Sequence, residues 1–261
     1  MTFSSKKLPL SVCIIARNEA KDLERCLTSV VDIAKEIIVV INDCTDNTRE
    51  VAEHFHAFVV EHAWEGYAKQ KNFAYTLAHE PWILRLDADE AFSPELKRSL
   101  YNFLSSSDES KDITVGICSR KNRYLGHWLN RQKDKCPILL KKDAVHWSGN
   151  VHEKLCFSGK TTFLKGDLLH YTEKNVQHSL NKQIHYAKIA AESIAQKYSC
   201  QQIAFRAFTN PLAKFLKFYF LKLGFLDGIP GLYFAVTNAY YTFIKYILAF
   251  EKMLPSDKHT S

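Results

Sequence analysis

The sequence predicts an α/β fold, in which a mostly parallel sheet is flanked by helices and followed by a helical, amphipathic carboxyl-terminal extension. Two observations support this prediction. In residues 9–105, short apolar runs alternate with segments whose apolar residues recur at helical spacing, which is typical of parallel sheets. From residue 176, apolar residues recur in steps of three and four, as they do in helices with one buried face. We expect an α/β domain over 1–175, with halves at about 9–105 and 113–175, and a helical region over 176–261.

Four strands and three helices are predicted in the first half. The strands are short and largely apolar, as buried strands are. A polar burst at 42–48 precedes the second helix, and Ser93 with Pro94 is typical of a further helix start. In chain order the predicted elements are strand 10–16, a helix from 20, strand 36–41, helix 48–55, strand 57–60, helix 67–78 and strand 82–86.

The second half combines further strands with a basic and aromatic segment, 120–135, which we interpret as a loop. Such a loop would suit an anionic carbohydrate, or it would simply be solvated. The predicted strands here are 114–119, 137–141, 154–157 and 167–170, and they are followed by a helix over 176–198 and apolar segments at 205–223 and 232–254.

Composition limits the possible partners. The net charge of +7 suits nucleic acid, an anionic membrane surface or a phosphorylated substrate. The seven cysteines contain no Cys-x-x-Cys pair, so we expect a reducing compartment rather than a disulfide framework. Residues 1–10 lack a signal-peptide core, and we expect no spanning helix because the longest apolar run, 228–244, is interrupted by polar residues, Gly and Pro.

Carboxylates follow three of the predicted strands. Glu19 and Asp43 follow the first and second strands, and Asp87, Asp89 and Glu90 follow the fourth. Parallel strands end at one edge of a sheet, where α/β proteins bind ligands. Because clustered carboxylates repel each other, a hard cation such as Mg²⁺ or Mn²⁺ would neutralise them. The alternative is that these acids only cap the following helices.

The sequence excludes two glycine-rich phosphate-binding loops and argues against nucleic acid as the partner. The chain has no Gly-x-Gly-x-x-Gly after the first strand and no Gly-x-x-x-x-Gly-Lys-Ser/Thr. A nucleic-acid-binding protein would not place acids at three strand ends, since they repel phosphate without a metal. We therefore expect a metal–phosphate site built from side chains, with no nucleic-acid partner.

Five short motifs follow one another along the chain: SVCIIARNEA, IIVVINDCTDNT, GYAKQKNFAY, WILRLDADE and GNVHEKL. In this order they resemble inverting glycosyltransferases of family 2, which have the GT-A (Rossmann-like) fold. The resemblance covers about residues 9–170. A narrower resemblance, to bacterial lipopolysaccharide-core β-glucosyltransferases that act on a heptose, also includes the segment GFLDGIPGL.

The resemblance implies a set of donor-binding residues. Asp43 would contact the uracil or ribose of a UDP-hexose donor, and Ala16 and Glu19 would lie along the same nucleoside pocket. Lys71 would face the phosphates or the base of the donor. Asp87 would lie near the ribose. The half at 9–105 would then bind the nucleotide-sugar, and the half at 113–175 would bind the acceptor.

It also implies a metal site and a general base. Asp89 would be the direct ligand of Mg²⁺ or Mn²⁺. His170 would be a further metal ligand, although a capping or packing role is equally open for it. Glu153 would be the general base that deprotonates the acceptor hydroxyl. His152 is an alternative base, and Glu90 is another, but Glu90 would lie beside the metal and away from the acceptor.

The predicted function is the metal-dependent transfer of a hexose, with glucose from UDP-glucose considered first, to an inner-core heptose. A lipid-linked acceptor and an anionic membrane surface are the expected partners, which would place the protein on the cytoplasmic face of the inner membrane. In 205–223 an aromatic face lies beside Arg206, Lys214 and Lys217, as in interfacial helices; packing against the rest of the chain is the alternative. Transfer to a polyprenyl phosphate or other glycolipid, and nucleotidyl transfer, remain open.

Overall fold

The computed structural model describes residues 7–106, 112–149, 153–172 and 176–254. These residues form two compact units. One comprises the described residues up to Lys121 together with Asp134–Tyr171, and the other comprises Asn122–Lys133 and those from Thr172 onwards.

Alternating strands and helices build the first unit, which confirms the predicted α/β fold. A central eight-stranded sheet has the order β3-β2-β1-β4-β7-β6-β10-β5, and β8 pairs with β9 in a small second sheet. The elements are β1 Leu8–Ala16, α1 Ala20–Thr28, β2 Ala34–Ile41, α2 Thr48–His54, β3 Phe58–Glu61, α3 Tyr67–Thr76, β4 Trp82–Asp87, β5 Glu90–Phe92, α4 Pro94–Ser105, β6 Ile113–Tyr124, β7 His127–Lys141, β8 Val145–Ser148, β9 Lys154–Phe157 and β10 Lys160–His170.

Strand direction changes across this sheet. Strands β3, β2, β1 and β4 run parallel, whereas β7 is antiparallel to β4 and β10 is antiparallel to β5. Helices α1, α2 and α4 pack on one face of the parallel half, and α3 packs on the other. Residues of β1 alternate between these faces: Val12 and Ile14 join one core and Cys13 the other, as the two-residue period of a strand requires.

The segment 120–135 is not the loop that its composition suggested. Strand β6 continues to Tyr124, and β7 begins at His127. Leu125 and Gly126 connect them, with φ of +49° and +78°, the left-handed pair typical of a two-residue hairpin turn. The charged side chains concealed these strands because the pattern expected for a half-buried strand is a regular alternation of apolar and polar residues.

Helices dominate the second unit: α5 Val176–Lys197, α6 Cys200–Leu216 and α7 Gly228–Glu251. The predicted helix over 205–223 ends early, because a π-type turn, Lys217–Leu221, follows α6. Among the described residues, no single helix meets the length and hydropathy expected of a membrane span. One pair, Cys200–Leu221 with Gly224–Glu251, meets them only jointly and is bent by 68°.

The segment GFLDGIPGL organises this second unit. The Asp227 carboxylate accepts hydrogen bonds from the backbone N–H groups of Asn130 and Arg131, at 3.1 and 3.0 Å. Gly224 and Gly231 approach so closely that a Cβ on Gly231 would lie 1.9 Å from the Gly224 carbonyl oxygen. These glycines are therefore required for backbone packing.

Candidate functional site

The carboxyl ends of three parallel strands lie together at one edge of the sheet. Ala16, the last residue of β1, is opposite Ile41 at the end of β2, and Ile15 is opposite Asp87 at the end of β4. The chain turns sharply after β1 and β2, where Asn18 and Asp43 have φ of +54° and +43°. Asn and Asp tolerate this conformation better than other side chains. The sheet therefore gathers the polar residues that follow these strands.

The nucleoside-pocket candidates follow β1 and β2. The Ala16 carbonyl accepts a hydrogen bond from the Asn42 backbone N–H at 3.3 Å. The Glu19 N–H donates to Thr48 Oγ1 at 2.9 Å, which joins the two turns. Asp43 is exposed, and its Oδ2 accepts a hydrogen bond from Asn42 Nδ2 at 3.1 Å. An exposed carboxylate at this edge can accept hydrogen bonds from a polar ligand.

A buried arginine neutralises the acids that follow β4. Arg85 Nη1 lies 3.0 Å from Asp87 Oδ2, and Arg85 Nη2 lies 3.3 Å from Glu90 Oε2. Burial by itself raises the pKa of Asp87, but the charges of Arg85, Lys71 and His170 outweigh it and lower this pKa to about 2. Asp87 is thus held ionised at the sheet edge.

Glu90 has a structural position rather than a catalytic one. Its side chain is 0% exposed, and Oε2 accepts the backbone N–H of Asp87 at 3.0 Å. Burial, and then the negative charge of Asp87, raise the pKa of Glu90 although Arg85 opposes them. Because no acceptor can contact this carboxyl, Glu90 serves to fix the turn that carries Asp87 and Asp89.

Arg85 was not predicted to belong to the site. A signal was available: it is the one charge inside the apolar run 82–86, WILRL, and a buried arginine requires an anionic partner. Its partners two and five residues later, Asp87 and Glu90, were already singled out, but as a ribose contact and an alternative base rather than as its counter-ions.

Asp89 and His170 lie side by side. Strand β10 pairs antiparallel with β5 so that His170 is opposite Glu90, and the Tyr171 N–H donates to the Asp89 carbonyl oxygen at 2.9 Å. This register brings His170 Nε2 within 3.3 Å of Asp89 Oδ2. Both side chains are partly exposed, so they are accessible to a ligand.

This pair fits a metal that binds together with a nucleotide. In the part of the chain that the structure describes, no group of three or more His, Cys, Asp or Glu side chains could hold an ion alone. Mg²⁺ in nucleotide sites is held by one or two carboxylates and completes its coordination with substrate phosphates and water. Asp89 supplies one such carboxylate, and His170 lies 3.3 Å from it as a nitrogen donor.

Lys71 and Glu153 form an ion pair across the site, with Nζ 2.9 Å from Oε1. Lys71 is only 8% exposed, and its ammonium group lies 4.5 Å from the centre of the Trp147 ring. Asn72 fixes this arrangement, because its side chain exchanges two 2.8 Å hydrogen bonds with the backbone of Trp147. Helix α3 thereby holds β8 and positions the ammonium group.

Lys71 also connects the two predicted parts of the site. It lines a small cavity together with Asp87, and its charge contributes to lowering the Asp87 pKa. The same ammonium group contacts Glu153. The alternative base, His152, lies outside the described residues.

The chain matches a family model and curated relatives that agree with one another. Residues 11–164 match the model of glycosyl transferase family 2. An uncharacterized glycosyltransferase of Rickettsia prowazekii is 28% identical over 90% of this chain and 85% of its own length. The lipopolysaccharide core biosynthesis glycosyltransferase LpsC of Rhizobium meliloti is 29% identical over 91% of this chain and 90% of its own length.

Solved structures resemble the chain more distantly. The structure of S. aureus TarS 1–349 in complex with UDP-GlcNAc is 14% identical, with a TM-score of 0.46 over 95% of this chain and 91% of that one. Glucosyl-3-phosphoglycerate synthase from Mycobacterium tuberculosis, in complex with Mn²⁺, UDP and glucosyl-3-phosphoglycerate, is 19% identical, with a TM-score of 0.36 over 44% of each chain.

Proposed function

The chain belongs to glycosyl transferase family 2, and from this we propose that it transfers a hexose with inversion from a UDP-hexose to an inner-core heptose of lipopolysaccharide. Glucose is the hexose that we consider first. The observation that carries the proposal is the position of Lys71, which contacts Glu153 at 2.9 Å and acts electrostatically on Asp87.

The donor would bind at the carboxyl edge of β1, β2 and β4. Asp43, Glu19 and the backbone at Ala16 would line the nucleoside, and Asp87 would face the ribose. Asp89 and His170 would hold a Mg²⁺ or Mn²⁺ ion, which supplies positive charge to the diphosphate as it leaves. Lys71, whose charge acts on Asp87, would add a further cation that can contact a phosphate oxygen.

The transfer is a single displacement. The acceptor oxygen forms a bond to the anomeric carbon while the bond from that carbon to the diphosphate oxygen breaks. Glu153 takes the acceptor proton. General-base catalysis of this kind typically accelerates a reaction by about 10²–10⁴-fold. Glu153 forms an ion pair with Lys71, and while that pair is intact its carboxylate is not available to take the acceptor proton. When the donor diphosphate attracts Lys71, Glu153 becomes available to the acceptor, so we expect the donor to bind first.

The acceptor class is proposed from the relative named as a lipopolysaccharide core glycosyltransferase. A lipid-linked acceptor is consistent with the exposed apolar and basic side chains of α6, among them Phe205, Phe208 and Lys214. We propose that the protein works at an anionic membrane surface on the cytoplasmic face of the inner membrane, where each lysine near the lipid adds about 1 kcal/mol.

A donor screen tests the proposal. The full chain is incubated with Mn²⁺ or Mg²⁺ and each of UDP-glucose, UDP-galactose and UDP-GlcNAc, with truncated lipopolysaccharide that ends in heptose as acceptor. A β-linked hexose on the heptose is the expected product. Transfer only to a polyprenyl phosphate would favour the alternative acceptor, and release of pyrophosphate from a nucleoside triphosphate would favour nucleotidyl transfer.

A further inference from the structure

The second unit contains an apolar groove that the proposed reaction does not use. It lies between α6 and α7 and encloses about 730 Å³, within the roughly 300–1,000 Å³ of small-molecule sites. Phe208, Leu212, Phe243 and Ile247 line it, and Phe208 is 77% exposed. Exposed apolar side chains that cluster in one groove can mark a binding site for an apolar ligand.

The groove offers almost no hydrogen-bonding groups. Among the described residues that line it, Tyr240 and Tyr246 are the only ones with polar side chains. The Tyr246 hydroxyl already accepts a hydrogen bond from Asn210 Nδ2 at 2.7 Å. An extended peptide in this groove would bury backbone N–H and C=O groups without partners, which is costly. A hydrocarbon chain has no such groups and suits the lining.

The charges of this region favour an anionic lipid. From residue 200 to 226 there are four basic residues and no acidic one: Arg206, Lys214, Lys217 and Lys222. Lys214 and Lys222 lie 5.5 and 5.2 Å from the centre of the Phe218 ring. A second copy of the chain would bring the same positive charges together and be repelled.

We propose that the groove between α6 and α7 binds an acyl chain of an anionic membrane phospholipid, whose headgroup the four basic residues of 200–226 would attract. The groove shares no residue with the candidate site in the first unit, so this proposal does not depend on the proposed reaction. Binding of an acyl chain in the groove differs from adsorption of the protein to a membrane surface, because the groove would hold a single chain in a defined volume.

Dodecyl phosphate, kept below its micelle-forming concentration, is a suitable probe, and its binding to the full chain is measured by titration calorimetry. We expect about one molecule per chain. Ala239→Trp and Ala204→Phe would each fill the groove while keeping its apolar character, and we expect binding to fall at least about ten-fold, the equivalent of about 1.4 kcal/mol. The matched control is Leu221→Trp, which is 80% exposed and lies outside the groove, and it should bind as the unaltered chain does.

The charge is tested separately. Lys214→Gln with Lys222→Gln should weaken dodecyl phosphate binding and leave the binding of neutral dodecyl maltoside unchanged. Circular dichroism and melting temperature establish that each variant is folded. Undiminished dodecyl phosphate binding by both folded filling variants would overturn the proposal, as would the absence of dodecyl phosphate binding by the unaltered full chain.

Discussion

The ammonium nitrogen of Lys71 lies 2.9 Å from Oε1 of Glu153, although α3 and the segment before β9 are 82 residues apart in the chain. The pair brings the residue proposed for the acceptor proton next to a cation that also acts on Asp87. While Glu153 is paired with Lys71, before the donor binds, its carboxylate cannot deprotonate an acceptor efficiently. The ion pair therefore links the two halves of the proposed reaction, and its two members make different predictions.

Replacing Glu153 with Gln should lower kcat by about 10²–10⁴-fold, because the amide cannot take the acceptor proton. Donor binding should persist, since Gln is of similar size and the metal pair is untouched. Transfer is measured with UDP-glucose and truncated lipopolysaccharide, and UDP binding by calorimetry. Glu65→Gln, at an exposed acid before α3, is the control. A folded Glu153→Gln variant with near-normal transfer would remove this residue from the mechanism.

Replacing Lys71 with Met should weaken binding of UDP. A hydrogen bond to a charged group contributes about 1.5–3 kcal/mol, which corresponds to about ten- to a hundred-fold in Kd. The effect should be absent for uridine, which has no phosphate.

The matched control for this substitution is Lys69→Met on the same helix, where the lysine is 67% exposed and lies 3.8 Å from Glu65. Equal losses for uridine and UDP would mean that Lys71 supports the fold of the site rather than contacting a phosphate. Acceptor affinity measured with and without UDP in the unaltered chain tests the predicted order of binding.

The Asp89–His170 pair predicts metal-dependent donor binding. Asp89→Asn and His170→Ala should each reduce the enhancement of UDP affinity by Mn²⁺, since each removes one of two candidate ligands, and EDTA should do the same to the unaltered chain. Asp143→Asn, at an exposed acid, is the control. Calorimetric UDP binding that responds equally to Mn²⁺ in all three variants would contradict a metal site at this pair.

The sequence predicted the parallel half of the sheet and the residues at its carboxyl edge, because strands such as 10–16 and 82–86 are nearly continuous apolar runs. It predicted neither the hairpin formed by β6 and β7 nor the Lys71–Glu153 contact. The hairpin strands carry many charges without regular alternation. The ion pair depends on the packing of β8 against α3 through Asn72 and Trp147, a long-range register that no local pattern encodes.

The buried charges at Arg85 and Glu90 make a prediction about stability. Arg85→Met leaves the fully buried Glu90 with less compensation, and removing one partner of a buried pair typically costs about 3–5 kcal/mol. Combining it with Glu90→Gln removes both charges, so the double variant should recover part of that loss. Urea unfolding of the two single variants and the double variant measures the coupling.

Arg49→Met provides the comparison for this cycle, because Arg49 is 40% exposed and pairs with Glu61 at 3.0 Å. An exposed pair of this kind contributes no more than about 1 kcal/mol. If Arg85→Met costs as little as Arg49→Met, Arg85 does not stabilise the turn that follows β4. The other outcome is that Arg85→Met costs several kcal/mol and that the double variant recovers stability but not UDP binding. In that case the ion pair orients Asp87 and Asp89 as well as neutralising buried charge.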